Sequence, residues 1–259
     1  MTDYLALARE VGTIARAAGA AILEVYESDD FGVEHKADDS PLTKADQAAN
    51  AVIVTGLENL EFKAPIVSEE NAEVPFEQRR YYHQFWLVDP LDGTKEFIKR
   101  NGDFTVNIAL IDGHSPLLGV VYTPVTDELV YGVVGQGAFI AGATEEPLRV
   151  ANFQRTDAGL KVVASRSHLN EATQAFMDEL NAPQIVSRGS SLKIIELAKG
   201  NAHLYPRLAP TMEWDTGAAQ AVLEAAGGSL IDHETGQPLR YNKEVLRNPH
   251  FVAAGNILS

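Results

Sequence analysis

Residues 88–97 read V-D-P-L-D-G-T-K-E-F and set two carboxylates, Asp89 and Asp92, three positions apart around a Pro-Leu pair. The apolar run F-W-L-V (85–88) precedes them, so the acids stand at the end of a buried strand. Two more acids occupy comparable places. Glu69 follows the run A-P-I-V-S (64–68), and Asp215 follows Met212-Glu213-Trp214 and opens an Ala-rich helical pattern. Strand ends and helix starts are where α/β proteins build sites, because several elements converge there. Such a set of oxygens suits hard cations. Mg²⁺ takes oxygen ligands in octahedral array, keeps several waters and shares phosphate oxygens with a substrate. Two or three such ions can orient a water, polarise a phosphoryl group and stabilise a leaving oxygen.

Taken singly, each acid also has a plain structural reading. Asp92-Gly93 is a turn pair. Asp215 fits a helix N-cap. Thr43-Lys44-Ala45-Asp46 has the capping-box pattern, which makes Asp46 a cap. Glu69-Glu70 reads as a solvated turn. The order and setting of the four strand-end and helix-start acids together favour a shared site.

The elements that would carry them follow from periodicity. Residues 3–27 repeat apolar positions at spacings of three and four and predict an amphipathic helix, with a second at 44–58. Strands are expected at 64–68 and 85–88, the second ending at Asp89. Short strands at 104–112, 117–122, 129–134 and 138–141, broken by turn signals, predict an antiparallel meander. Beyond 160, strands (161–164, 184–187, 202–205, 229–231, 251–254) alternate with helices (171–180, 190–199, 216–226). The chain thus reads as α+β with an antiparallel sheet first and more α/β-like second. A boundary near 145–158 divides residues 1–150, with most of the acids, from 151–259, with Asp215.

The chain has 259 residues, enough for one large domain or two small ones, and its 45% hydrophobic and 22% charged content is that of a folded globule. No apolar run approaches the ~18 residues of a membrane span. Asp3, Arg9 and Glu10 argue against a signal peptide. There is no cysteine, hence no disulfide and no thiolate metal site. A net charge of -15 gives no general attraction to nucleic acid polymer or anionic membrane. Divalent cations would offset its repulsion of an anionic substrate.

W-L-V-D-P-L-D-G-T (86–94) resembles the first signature of the inositol monophosphatase family of Mg²⁺-dependent phosphatases, and W-D-T-G-A-A (214–219) its second. S-E-E (68–70) and S-P-L-T-K-A-D (40–46) resemble the family's other site segments, in the same order. The resemblance implies a layered αβαβα fold with a smaller second sheet and helices in the C-terminal half. It implies Glu69, Asp89, Asp92, Asp215 and the Leu91 carbonyl as ligands of two to three Mg²⁺ ions, and sensitivity to Li⁺. It implies Gly93 and Thr94 as phosphate-binding residues at a helix start. Thr94 and Asp46 would form the dyad that deprotonates the attacking water.

S-R-S-H (165–168), G-S-S-L-K (189–193) and L-Y-P-R (204–207) resemble the 3'(2'),5'-bisphosphate nucleotidase branch, the CysQ type. A second phosphate needs a second anion site, for which His168, Ser190, Lys193 and Arg207 offer donors and charge. Taken alone, Lys193 and Arg207 would be surface residues. The expected reaction is removal of the 3'-phosphate of adenosine 3',5'-bisphosphate, with its 5'-phosphosulfate analogue a further candidate, in sulfur assimilation and nucleotide recycling. The alternative within the family is an inositol or sugar monophosphate. An acid that inositol-type members commonly carry before the Trp-Asp pair is missing here until Glu213.

Other classes fit less well. The P-loop pattern is absent, and G-V-V-G-Q-G (132–137) has the wrong glycine order for a dinucleotide fingerprint and reads as turns. A non-enzymatic cation-binding protein would keep the acids but lose Thr94 or Asp46, and both are present. The expected partner is a small nucleotide, to a monomer or homodimer in the cytoplasm. Peripheral attachment at the inner membrane is implied only by the branch it resembles, and no basic amphipathic helix supports it.

Overall fold

The computed structural model describes residues 2–28, 31–35, 41–71, 74–164 and 170–258. Helix α1 (Tyr4–Tyr26) buries Leu7, Val11, Ala15, Ala18 and Ile22 along one stripe, and Asp3 caps it by accepting from the Ala6 amide at 3.0 Å. The short strands β1 (Glu34–His35) and β2 (Pro41–Leu42) pair antiparallel and lead into α2 (Lys44–Asn59). After β3 (Ile66–Ser68) and the one-turn helix α3 (Phe76–Arg79) comes the long strand β4 (Gln84–Asp92), then the short helix α4 (Thr94–Ile98). The expected meander follows as β5 (Thr105–Asp112), β6 (Ser115–Thr123), β7 (Glu128–Val133) and β8 (Gly137–Ile140), closed by β9 (Glu146–Pro147). Strands β3 to β9 form one seven-stranded sheet in chain order, parallel between β3 and β4 and antiparallel elsewhere. G-V-V-G-Q-G forms the end of β7 and the turn into β8, as expected of a turn.

The remainder holds β10 (Asn152–Phe153), β11 (Lys161–Val163), α5 (Glu171–Asp178), β12 (Gln184–Val186), α6 (Leu192–Ala198) and β13 (Leu204–Arg207). It ends with α7 (Gly217–Ala225), β14 (Ser229–Asp232), β15 (Phe251–Ala254) and β16 (Asn256–Ile257). The second sheet has five strands in the order β12-β11-β13-β15-β14, with β11 parallel to both neighbours. Strands β10 and β16 make a separate parallel pair.

Residue alternation in the sheet separates the layers. Val106, Ile108 and Leu110 of β5 pack in the core with α1 and α2, while Ala109 and Ile111 face a second core built with α6 and α7. A third core joins Phe176 and Met177 of α5 to Val162, Leu204 and Val252 of the five-stranded sheet. The order is therefore helix, sheet, helix, sheet, helix, the expected αβαβα stack. The middle core mixes Phe85, Leu87 and Ala109 with Ile195, Ala219 and Val222, so residues from both sides of the expected 145–158 boundary share it. Among the described residues no helix is long and apolar enough to cross a membrane.

Several expectations shift. Strand β4 does not stop at Asp89 but continues to Asp92. Asp89 pairs with Asn107 and Asp92 with Thr105, so Pro90 and Leu91 together oppose Val106 alone. That is a β-bulge, placed where proline has no amide hydrogen to give the ladder. Helix α7 begins at Gly217 with Thr216 at the cap position, so Asp215 stands before the helix rather than capping it. Helix α3 was not expected, because four residues are too few to show a period, whereas α4 is the helix start that the resemblance implied at Gly93-Thr94.

Helix α7 lies close against β6, and Gly119 is what permits it. A Cβ at Gly119 would sit 2.0 Å from the Ala218 carbonyl oxygen, which belongs to backbone and cannot swing aside. Gly119→Ala should therefore lower stability by about 3 kcal/mol, the upper end for overpacking a core. Urea denaturation checks this, and an unchanged midpoint would mean that the two layers part easily.

Candidate active site

The site is assembled from four stretches of chain. At the start of α2, Thr43 and Asp46 form the expected capping box. The Asp46 Oδ2 accepts from the Thr43 amide at 2.7 Å and from its hydroxyl at 2.6 Å. The other oxygen, Oδ1, accepts from the Thr94 hydroxyl at 3.3 Å. Asp46 is thus a helix cap and a Thr94 partner at once, and only 2% exposed. The bulge in β4 turns Asp89 inward, where its Oδ1 accepts from the Leu91 amide at 3.1 Å. The Leu91 carbonyl lies 3.4 Å from the Thr94 hydroxyl. The Glu69 amide bonds the Val88 carbonyl at 3.1 Å, which carries the β3–β4 pairing one step further and sets Glu69 beside Asp89.

Glu69, Asp89 and Asp215 each bring one carboxylate oxygen to a common point, all within 4.8 Å of one another. Asp215 turns back along the chain to accept from the Met212 amide at 2.9 Å. Burial pushes the Asp89 carboxyl well above its usual range, with the charges of Glu69, Asp92 and Asp215 adding to it. Burial, then the Asp92 charge, pushes Asp215 up to about 8, while the Met212 amide and Arg207 pull the other way. Crowded, dry carboxylates of this kind are relieved by a proton or by a cation. An all-oxygen donor set with no His or Cys fits a hard divalent cation such as Mg²⁺.

Asp92 lies outside that trio. Its Oδ2 accepts from the Ser190 hydroxyl at 2.7 Å, the Ser191 amide at 2.6 Å and Asn107 at 3.4 Å. It stands where two cavities meet. One, of about 370 Å³, is lined by Glu69, Asp89, Leu91, Thr94 and Asp215. The other, of about 230 Å³, is lined by Ser190, Lys193, Tyr205, Arg207 and Thr211. Asp92, Gly93, Glu96 and Asp215 line both. Gly93 has φ +97° and closes on the Asp103 carbonyl, 3.1 Å from where a Cβ would sit, so the turn into α4 requires glycine.

In the smaller cavity, the Lys193 ammonium donates to the Ser190 carbonyl at 3.1 Å, and Arg207 donates through one terminal nitrogen to the Pro210 carbonyl at 3.0 Å. The Arg207 Nε is buried and has no hydrogen-bond partner among the described residues. His168 falls outside the described residues.

Some supports were missed in the sequence. Glu213 is fully buried and accepts from the Asn242 amide at 2.6 Å, the Lys243 amide at 3.1 Å and the Lys243 ammonium at 2.6 Å. Asn248 donates to the Met212 carbonyl at 2.8 Å and to Thr216 at 3.0 Å. These contacts hold the loop that presents Asp215, and they turn Glu213 away from the cavities. Their partners are about thirty residues apart in sequence, and no local pattern signals them. Thr105 and Asn107 could have been noticed, since two polar residues on one face of an apolar strand are unusual.

Residues 6–258 match the pattern of the Inositol monophosphatase family. This chain belongs to that family. It is 44% identical over 244 residues to the 3'(2'),5'-bisphosphate nucleotidase CysQ of Escherichia coli K12, covering 93% of this chain and 97% of that protein. The crystal structure of CysQ from Bacteroides thetaiotaomicron, a bacterial member of the family, superposes with a TM-score of 0.85 at 41% identity, over 98% of both chains. An inositol monophosphatase from Anabaena shares the fold, with a TM-score of 0.77 at 24% identity, over 98% of this chain and 92% of that one.

The raised pKa of Asp215 carries a consequence for the metal-free protein. An acid whose folded pKa lies above its unfolded value contributes stability below the unfolded pKa, and that contribution is lost as pH rises through the folded one. For Asp215 the window runs from 3.8 to about 8. In EDTA, Asp215→Asn should therefore raise Tm relative to wild type, and by more at pH 8 than at pH 5. A variant that melts lower than wild type at pH 8 would remove the repulsion from the account.

Proposed function

We propose that this protein is a Mg²⁺-dependent phosphatase that removes the 3'-phosphate of adenosine 3',5'-bisphosphate, giving AMP and inorganic phosphate. The observation that carries the reading is the pair of joined cavities. One is lined by carboxylates, and the other holds Lys193 and an Arg207 whose Nε has no partner among the described residues. A substrate with two phosphates matches a site with two anion-binding regions, and the likeness to CysQ nucleotidases supports the same substrate class.

Glu69, Asp89, Asp92, Asp215 and the Leu91 carbonyl are the residues that would hold two to three Mg²⁺ ions. Those ions, when bound, would neutralise phosphate charge, polarise the phosphorus and lower the pKa of the attacking water. The protein's own part is proton handling and positioning. Thr94 Oγ accepts the water's proton as its own passes to Asp46 Oδ1. Asp46 is held for that exchange by the two Thr43 bonds on its other oxygen. Backbone amides at Gly93 and Thr94 would receive the phosphate. Lys193 and Arg207 would bind the 5'-phosphate region, and Ser190 and His168 would line the nucleotide's path. Residues 1–150 would then carry most of the cation ligands and 151–259 the specificity residues. Glu213, the acid beside the Trp214-Asp215 pair, is turned into the core against Lys243 and does not line the smaller cavity, which weighs against a sugar hydroxyl there.

Two outcomes test this. Thr94→Ala and Asp46→Asn should each lower kcat by roughly 10²–10⁴, the span for losing general-base assistance, with Mg²⁺ binding largely retained. Near-wild-type turnover by Asp46→Asn would return Asp46 to a plain helix cap. Arg207→Ala and Lys193→Ala should raise KM for adenosine 3',5'-bisphosphate about tenfold to a hundredfold, since a charged contact contributes about 1.5–3 kcal/mol in both ground and transition states. Hydrolysis of inositol 1-phosphate should barely change. Equal losses on both substrates, or a wild-type preference for inositol 1-phosphate, would overturn the nucleotidase reading.

A further inference from the structure

We propose that Thr105, acting through Ser190, is a positioning residue that orients Asp92 toward the cation site. The inference rests on the reading of Asp92 as a cation ligand. Thr105 is wholly buried in β5, directly opposite Asp92 in the strand pairing. Its hydroxyl lies 2.6 Å from the Ser190 Oγ, 2.8 Å from the Ser191 Oγ and 3.4 Å from the Asn107 Oδ1. Ser190 and Ser191 come from the C-terminal half and Thr105 from the large sheet, so these contacts cross between the two.

Counting protons gives the chain a direction. The Ser190 hydroxyl has one hydrogen and donates it to Asp92 Oδ2 at 2.7 Å. The 2.6 Å contact between Ser190 and Thr105 must therefore be donated by Thr105. The Thr105 oxygen then faces the Ser191 hydroxyl, whose hydrogen goes to Thr105 or to Asn107. The donors run in one sense and end on the carboxylate, an arrangement in which each bond strengthens the next. The Ser191 amide and the Asn107 side chain reach the same oxygen. Among the described residues no hydrogen bond reaches Oδ1. One oxygen of Asp92 is thus held by the protein while the other is left to face the cavity.

Ser190 adopts φ +51°, a left-handed conformation that a non-glycine residue takes at some cost. The strain is explained if the backbone must deliver both the Ser190 hydroxyl and the Ser191 amide to one oxygen. Hydrogen bonds behind a metal ligand commonly change cation affinity by about ten- to a hundredfold when lost.

The test is Mg²⁺ titration of substrate-free protein by calorimetry, alongside KM and kcat at saturating Mg²⁺. Thr105→Val should weaken Mg²⁺ binding by about tenfold or more, and Thr105→Ser, which keeps the hydroxyl, should stay near wild type. Ser190→Ala, which removes one oxygen from a part-buried turn, should weaken Mg²⁺ binding in the same direction. If Thr105→Val fails to fold, Ser190→Ala decides alone. A Ser190→Ala protein with wild-type Mg²⁺ affinity and only a raised KM for adenosine 3',5'-bisphosphate would overturn the proposal and leave Ser190 a nucleotide contact. Equal loss in Thr105→Val and Thr105→Ser would also overturn it, since packing rather than the hydroxyl would then matter. Wild-type protein that binds no Mg²⁺ would bring down the cation reading and this inference together. Mg²⁺ binding with a preference for inositol 1-phosphate would remove only the substrate reading.

Discussion

Repulsion among buried carboxylates is the constraint on which the rest of the structure depends. Glu69, Asp89 and Asp215 meet in a cleft where Asp89 is only 2% exposed, and like charges crowded away from water are costly to a fold. Three apolar cores, one around the central helices α6 and α7, one beneath α1 and α2 and one beneath α5, supply the stability that keeps these acids together. The β4 bulge, the backbone bond from Met212 to Asp215 and the ion pair of buried Glu213 with Lys243 all serve to hold the acids in place. The cleft is built to receive positive charge, and its discomfort without it follows from the same geometry.

The local and the chemical roles of these residues do not compete. Asp46 satisfies the first turn of α2 with one oxygen and meets Thr94 with the other. Gly93 is a turn glycine because its φ is positive, and that turn is also what exposes the Thr94 hydroxyl beside Leu91 and Asp46. A helix cap is a rigidly held carboxylate, and rigidity is what a proton acceptor needs. The bland reading of each residue therefore describes how it is fixed, and the chemical reading describes what the fixed group does.

The second cavity sets two cations beside acids that it shares with the first. The chain carries a net charge of -15, yet Lys193 and Arg207 line one small space beside Asp92 and Asp215. A local cation pair on an acidic protein selects for an anion that can reach it, and bound divalent ions would cover the acids on the other side. Specificity of this sort depends on separation between two anion sites and not on total charge.

Much of this was legible in the chain. The spacing of apolar residues predicted α1, α2, α5 and the meander, and the D-P-L-D-G-T run marked the site, because helix and strand periods and turn chemistry are properties of adjacent residues. Capping at Thr43 and Asp46 was legible for the same reason. Other features waited for the tertiary structure. The sequence marked Asp215 as a cation ligand, but the loop around it is set by contacts from Lys243 and Asn248 to Glu213 and Thr216, 30 and 32 residues away. It marked Ser190 only as a substrate contact and did not show that the fold sets that hydroxyl against Asp92 and Thr105, 98 and 85 positions away. Which oxygen of a carboxylate is tied down and which is free depends on donors brought from distant strands by packing, and no pattern in neighbouring residues records that.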